Sequence, residues 1–245
     1  MQLTRTGRLV LVSGPHLEHV ARMKYGVLGG LLLLGSVWSG AAHAQVPPAK
    51  TGFQMALRTG YSAPFGNVTK NFKLSDFSSG QVPLLVDIGG KPIPHLFLGG
   101  YLGFGFGGAG GTTAAACEAN NAGCFGLSLR FGVQVQAHFL PHGQVNPWLG
   151  YGIGLESVAL SVDQSGSRNA VAAGVGGVEF AHLMGGVDWR LTRVVGIGPF
   201  VDVAFGRYST VSVNDGDTTR SSDILDSERA SHGWATLGLR VVFFP

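Results

Sequence analysis

Four arginines and four carboxylates stand singly in apolar, glycine-rich surroundings: Arg58, Asp87, Arg130, Glu156, Asp188, Arg190, Asp202 and Arg240. Each is flanked on both sides by apolar or small residues, so none belongs to a charged surface run. Four cations and four anions of this kind can pair in a buried polar network, which avoids isolated charge without necessarily adding stability. Ser128, His138 and His182 fall in similar positions. Together with an acid they would compose a nucleophilic set, but that chemistry needs the groups within hydrogen-bond reach. No nucleophile motif surrounds Ser128. A polar network is the expectation, with no catalytic, cofactor or metal set.

Other candidates read the same way. Gly103-Phe104-Gly105-Phe106-Gly107-Gly108 matches G-x-G-x-x-G as a string, but its glycines alternate with aromatics inside one extended segment. A dinucleotide site needs a strand–turn–helix unit with a downstream acid. Residues 214–228 are acidic, with Asp215, Asp217, Asp223, Asp226 and Glu228, yet lack the D-x-[DN]-x-[DN]-G pattern of a calcium loop. A solvated loop is expected there. Cys117 and Cys124 lie close together in a Gly/Ala/Asn-rich segment and, in an exported chain, are expected to close a small disulfide loop.

The elements that carry the charges are strands. Phe125 to Leu140 alternates without a break: Phe125, Leu127, Leu129, Phe131, Val133, Val135, Ala137 and Phe139 against Gly126, Ser128, Arg130, Gly132, Gln134, Gln136 and His138. Side chains alternate sides along a strand. Sixteen residues far exceeds the usual strand of about 5–6. The pattern recurs over Gly52–Ser62, Val82–Gly90, His95–Gly107, Trp148–Leu160, Glu179–Leu191, Val195–Ser209 and Trp234–Phe244. Eight strands suit a closed antiparallel barrel. Short turns are expected at Lys91–Pro94, Pro141–Asn146 and Thr192–Arg193, and long polar loops at 63–80, 108–124, 162–178 and 210–232. Both termini then lie at the short-turn rim. Trp148, Trp189 and Tyr61 are candidates for an aromatic girdle at the membrane interfaces.

The faces follow from charge. All eight charged residues share the glycine-rich face. An arginine on the lipid face at mid-membrane costs about 2–4 kcal/mol. Four of them near mid-depth would cost on the order of 8–16 kcal/mol, as much as a whole folding free energy. The charged face must therefore turn inward, and the expected fold is all-β, a closed eight-stranded antiparallel up-and-down transmembrane barrel. Composition agrees: only 13% of residues are charged, against a usual ~25%, and mean hydropathy is +0.25. Past the leader there is no run of about 18 apolar residues.

Residues 23–44 read as a secretory signal peptide. Met23-Lys24-Tyr25 is basic, Gly26–Gly40 is apolar, and Ala42-His43-Ala44 fits the small-x-small cleavage rule, with cleavage after Ala44. Residues 1–22 read as an over-extension before the true start at Met23, and 45–50 as a spacer. The first 44 residues hold four basic groups and one acid, leaving 13 of each in the remainder. A neutral mature chain gives no support to nucleic-acid binding.

With these features the chain resembles the small eight-stranded outer-membrane barrels of the OmpA/OmpX-like and OmpW-like kind. The residues that carry this are the Ala42-His43-Ala44 leader end, the eight alternating segments, and the closing strand Ala235–Phe244 (ATLGLRVVFF), an apolar alternation ending on an aromatic. The resemblance covers roughly residues 51–245, the barrel domain only. It implies a Gram-negative cell envelope, insertion by the outer-membrane assembly machinery, and outer-membrane lipid and lipopolysaccharide as surroundings. The function expected is structural or adhesive, through surface ligands of the long loops, with no enzymatic activity and a side-chain-filled lumen. A narrow conduit for small or hydrophobic solutes and a lipid-A-modifying enzyme are the alternatives.

Overall fold

The computed structural model describes residues 51–164, 171–214 and 218–244. The segments read above as an over-extension (1–22), a leader (23–44) and a spacer (45–50) lie outside the described residues. The element order is β1 (Gly52–Thr69), β2 (Phe72–Lys73), α1 (Leu74–Phe77), β3 (Ser78–Ile93), β4 (Leu96–Ala109), α2 (Gly111–Ala119), β5 (Ala122–His138), β6 (Val145–Gln164), β7 (Val171–Arg190), β8 (Val195–Asn214), β9 (Thr219–Asp223) and β10 (Ser231–Phe243). No helix among them is long and apolar enough to cross a membrane.

Eight strands close into an antiparallel ring. β1 pairs with β3, the pairing continues in order through β4, β5, β6, β7 and β8, and β10 joins β8 back to β1. Closure removes the open sheet edges that would otherwise expose unpaired backbone groups. Gly52 pairs with Lys91 and Phe243 with Met55 and Val195, so both ends of the ring-forming chain sit at the rim of the short connections.

The two faces separate as the alternation requires. On β5, Phe125, Leu127, Phe131, Val133 and Val135 are exposed, while Ser128, Arg130, Gln134, Gln136 and His138 are buried. The same holds on β1, where Phe53, Leu57 and Tyr61 face out and Gln54, Arg58 and Ser62 face in. The outside is apolar and the inside ionised, the reverse of a soluble barrel.

The strands run further than the alternation showed. β6, β7 and β8 each span 20 residues. Among the described residues, the segments expected as long loops at 63–80, 162–178 and 210–232 are therefore mostly strand, while 108–124 is mainly helix α2, and α1 with its neighbours folds into a cap. Beyond the regular alternation, small and mixed-polarity residues still pair because the neighbouring strand supplies the partner groups. Leu74 and Phe77, three apart on α1, bury one face against Val68, Val158, Leu160, Val175, Tyr208, Ile224 and Trp234. Val158, Leu160 and Val175 continue the inward-facing rows of β6 and β7, so this apolar cluster closes the bore at its long-connection end. Backbone contacts hold the cap down: Lys70 N donates to Glu228 O at 3.1 Å and Gly110 N to Phe77 O at 3.2 Å.

Cys117 in α2 and Cys124 at the start of β5 form a disulfide with a Cα–Cα distance of 6.3 Å. The acidic segment is not a free loop in its described part. Ile224 is buried in the cap cluster, and Asp226 pairs with Arg229 at 2.6 Å. Asp215 and Asp217 lie outside the described residues. Among the described residues no group of three or more His, Cys, Asp or Glu is placed to hold a metal ion.

Candidate functional site

Among the described residues, the fold concentrates ionisable side chains out of solvent in the bore. They arrange in three levels along it.

The middle level is a continuous chain of contacts. Arg58 donates from Nη2 to Asp87 Oδ1 at 2.8 Å and from Nη1 to Asp202 Oδ2 at 3.1 Å. Asp202 Oδ2 also meets His182 Nε2. His182 Nδ1 lies 2.9 Å from Glu179 Oε1. Glu179 Oε2 accepts from Arg130, at 2.7 Å from Nε and again from Nη2. Tyr101 OH donates to Glu179 Oε1 at 2.7 Å. Six strands (β1, β3, β4, β5, β7 and β8) contribute to this layer. Glycine makes room for it: a Cβ on Gly132 would lie 2.7 Å from the Tyr101 hydroxyl.

Towards the long-connection end, Glu156 is held by three donors. Trp234 Nε1 reaches its Oε1 at 2.6 Å, Tyr208 OH reaches the same oxygen at 2.9 Å, and His232 Nε2 is 3.3 Å from Oε2. The Tyr208 and His232 rings stack at 3.6 Å, 7° from parallel. Towards the short-connection end, Arg240 pairs with Asp188 at 3.3 Å, donates to Gln136 Oε1 at 2.9 Å, and lies over the Trp148 ring at 4.1 Å. Arg190 is only half-buried. It donates to Pro141 O at 2.6 Å and sits over the Phe244 ring at 5.4 Å, with Lys91 near the same ring.

The eight charged positions read from the sequence thus fall into separate clusters. Arg58, Asp87, Arg130 and Asp202 meet in the middle, Glu156 lies opposite Arg130 in the β5–β6 register and takes aromatic donors, Asp188 and Arg240 form their own pair, and Arg190 lies at the rim. Ser128, His138 and His182 are not brought together. Ser128 Oγ donates to Gln81 Oε1 at 2.6 Å, and His138 Nδ1 accepts from Asn146 Nδ2 at 2.8 Å. The G-x-G-x-x-G string lies within β4, paired on both sides.

Two corrections concern single residues. Trp148 is not an interface-girdle residue: it is buried inside the bore under the Arg240 guanidinium. Its position shares parity with the inward Gly150, and that parity outweighs its closeness to a turn. Trp189 and Tyr61 do face outward. Glu179 was missed as an inward charge. Counting back from His182 by twos places Glu179 outside, but Phe180 is an extra residue: Glu179 pairs with Gly206 and Ala181 with Phe205. Such a bulge re-aims the chain by one position. The usable signal was the charge itself, since a carboxylate at a lipid-facing position announces a break in parity. His232 and Tyr208 follow the simple rule and were legible by extending it.

These features define the architecture: a small β-barrel of the outer-membrane kind, apolar outside and ionised within. Solved structures of low identity share it. The chain is similar to a major outer membrane protein from Thermus thermophilus at 14% identity, covering 78% of this chain and 98% of that one, with a TM-score of 0.48. It is similar to Neisserial surface protein A (NspA) at 16% identity, covering 76% and 96%, with a TM-score of 0.40. It is also similar to the outer membrane protease OmpT from Escherichia coli at 8% identity, covering 79% and 97%, with a TM-score of 0.37. No family model matches the chain, and no curated protein matches it. The expectation of no enzymatic activity is corrected here. One of the solved structures to which the chain is similar is an outer membrane protease.

Proposed function

We propose that the chain is an integral outer-membrane barrel with a structural role, or an adhesive one exerted through the cap of its long connections, and with a bore filled by side chains. The observation that carries this reading is the polarity of the wall. Leu98, Val133, Ile153, Leu183, Val201 and Leu237 are each about half exposed or more, while Arg58, Arg240 and Asp87 are fully buried. A surface of that kind is stable against acyl chains and unstable against water. Outer-membrane lipid and lipopolysaccharide are its surroundings, the outer-membrane assembly machinery inserts it, and ligands, where there are any, meet the cap.

The filled bore is supported by two layers in series, the charge chain in the middle and the apolar cluster around Leu74 and Phe77. Eight strands enclose an interior just wide enough for side chains to fill. Fractionation and planar-bilayer recording test the proposal. The protein is expected to pellet with outer membranes, to resist carbonate wash and to show no stable conductance. Recovery in the soluble fraction would overturn the membrane reading, and a steady aqueous conductance would overturn the filled bore.

A further inference from the structure

Among the described residues, His182 is the only histidine in the middle layer, and both of its ring nitrogens face carboxylate oxygens. Nε2 meets Asp202 Oδ2 and Nδ1 lies 2.9 Å from Glu179 Oε1. An ionised carboxylate only accepts hydrogen bonds, and a neutral imidazole has one N–H. A neutral ring would therefore set a bare nitrogen lone pair against one of the two acids.

The charge count points the same way. The groups of this layer are Arg58 on β1, Asp87 on β3, Tyr101 on β4, Arg130 on β5, Glu179 on β7 and Asp202 on β8. Arg58 and Arg130 are two cations, while Asp87, Glu179 and Asp202 are three anions, and Glu156 on β6, opposite Arg130 in register, adds a fourth. A charged His182 reduces that excess of negative charge. A neutral one leaves it whole where Arg58, Asp87, Glu179 and His182 are all fully buried. Uncompensated charge in such a place is strongly unfavourable. Putting the missing proton on an acid runs against the arginine contacts. Arg130 grips Glu179 through two nitrogens, which favours its ionised form. A proton on Asp202 would serve both ring nitrogens, but Arg58 Nη1 donates to the same Asp202 Oδ2 at 3.1 Å, which favours the ionised carboxylate.

We infer that His182 carries both ring protons at neutral pH and serves as a third cation, beside Arg58 and Arg130, in the layer that closes the bore. The histidine is then a fixed structural cation, unavailable as a general base. Nothing in this depends on which membrane the barrel occupies, so its failure would leave the outer-membrane reading intact.

Nitrogen-15 NMR of the refolded full barrel in detergent, labelled at histidine, tests it at about pH 8, where an ordinary histidine is neutral. Both His182 nitrogens are expected at the protonated position. The signal is assigned by its loss in His182→Gln or, where that variant does not fold, by its through-space coupling to the Tyr101 ring 4.9 Å away. One bare ring nitrogen on His182 under these conditions overturns the inference.

Discussion

Glu179 and His182 face each other at 2.9 Å although they are three residues apart on one strand, where an odd separation should put them on opposite walls. The extra residue is Phe180. Two residues of β6 (Gly152 and Gly154, with Ile153 between) span what three steps of β7 cover, and β8 advances one residue while β7 advances two. Phe180 turns its ring to the outside, 46% exposed, and the charge layer of the bore depends on that one-residue offset.

Deleting Phe180 is therefore expected to be tolerated. The shortened strand alternates regularly, keeps Glu179 and His182 on the inner wall, and restores even pairing with both neighbours. Inserting a second residue at the same point should instead send Glu179 into lipid. Heat-modifiable gel mobility after refolding into vesicles distinguishes the two, with a compact band for the deletion and none for the insertion.

Removing one partner of the middle layer should cost far more than removing an exposed ion pair. Arg58→Met leaves Asp87 without its cation and Asp202 with His182 alone. A loss of about 3–5 kcal/mol is expected. Asp226→Asn at the exposed Arg229 pair should cost about 0–1 kcal/mol. Urea titration of the vesicle-inserted protein measures both.

On the outer wall, depth should set the penalty. Val133 lies midway along β5 and is 62% exposed. Val133→Arg is expected to destabilise by about 2–4 kcal/mol, and Phe53→Arg, at the short-connection rim, by about 0–1 kcal/mol. Equal penalties in vesicles would argue against a bilayer around this wall. Cysteines placed at Leu129 and Val133 should likewise resist water-soluble maleimide in the membrane and react once the protein is unfolded.

Breaking the disulfide should act on the cap and leave the ring intact. Cys117→Ser with Cys124→Ser opens a short loop, worth at most about 2–3 kcal/mol in the chain-entropy account. Limited proteolysis should then cut the 111–121 segment faster, while the heat-modifiable mobility of the barrel is unchanged.

Much of this molecule was written in its order of residues. A period of two is a local property, so the long alternation through Phe131 and Val133 gave the strands. The price of a lipid-facing arginine gave the inside, and the rhythm of turns gave the rim that holds both ends. What only the folded chain decided is who meets whom. Pairing of Arg58 with Asp87 and Asp202, or of Arg240 with Asp188, depends on the register and closure of the whole ring, and sequence spacing carries no information about distances across a bore. The bulge at Phe180, the lumen place of Trp148 and the insertion of Leu74, Phe77 and Ile224 into the outer end were settled in the same way. Each is a choice between locally equivalent conformations, made by packing against residues far away in the chain.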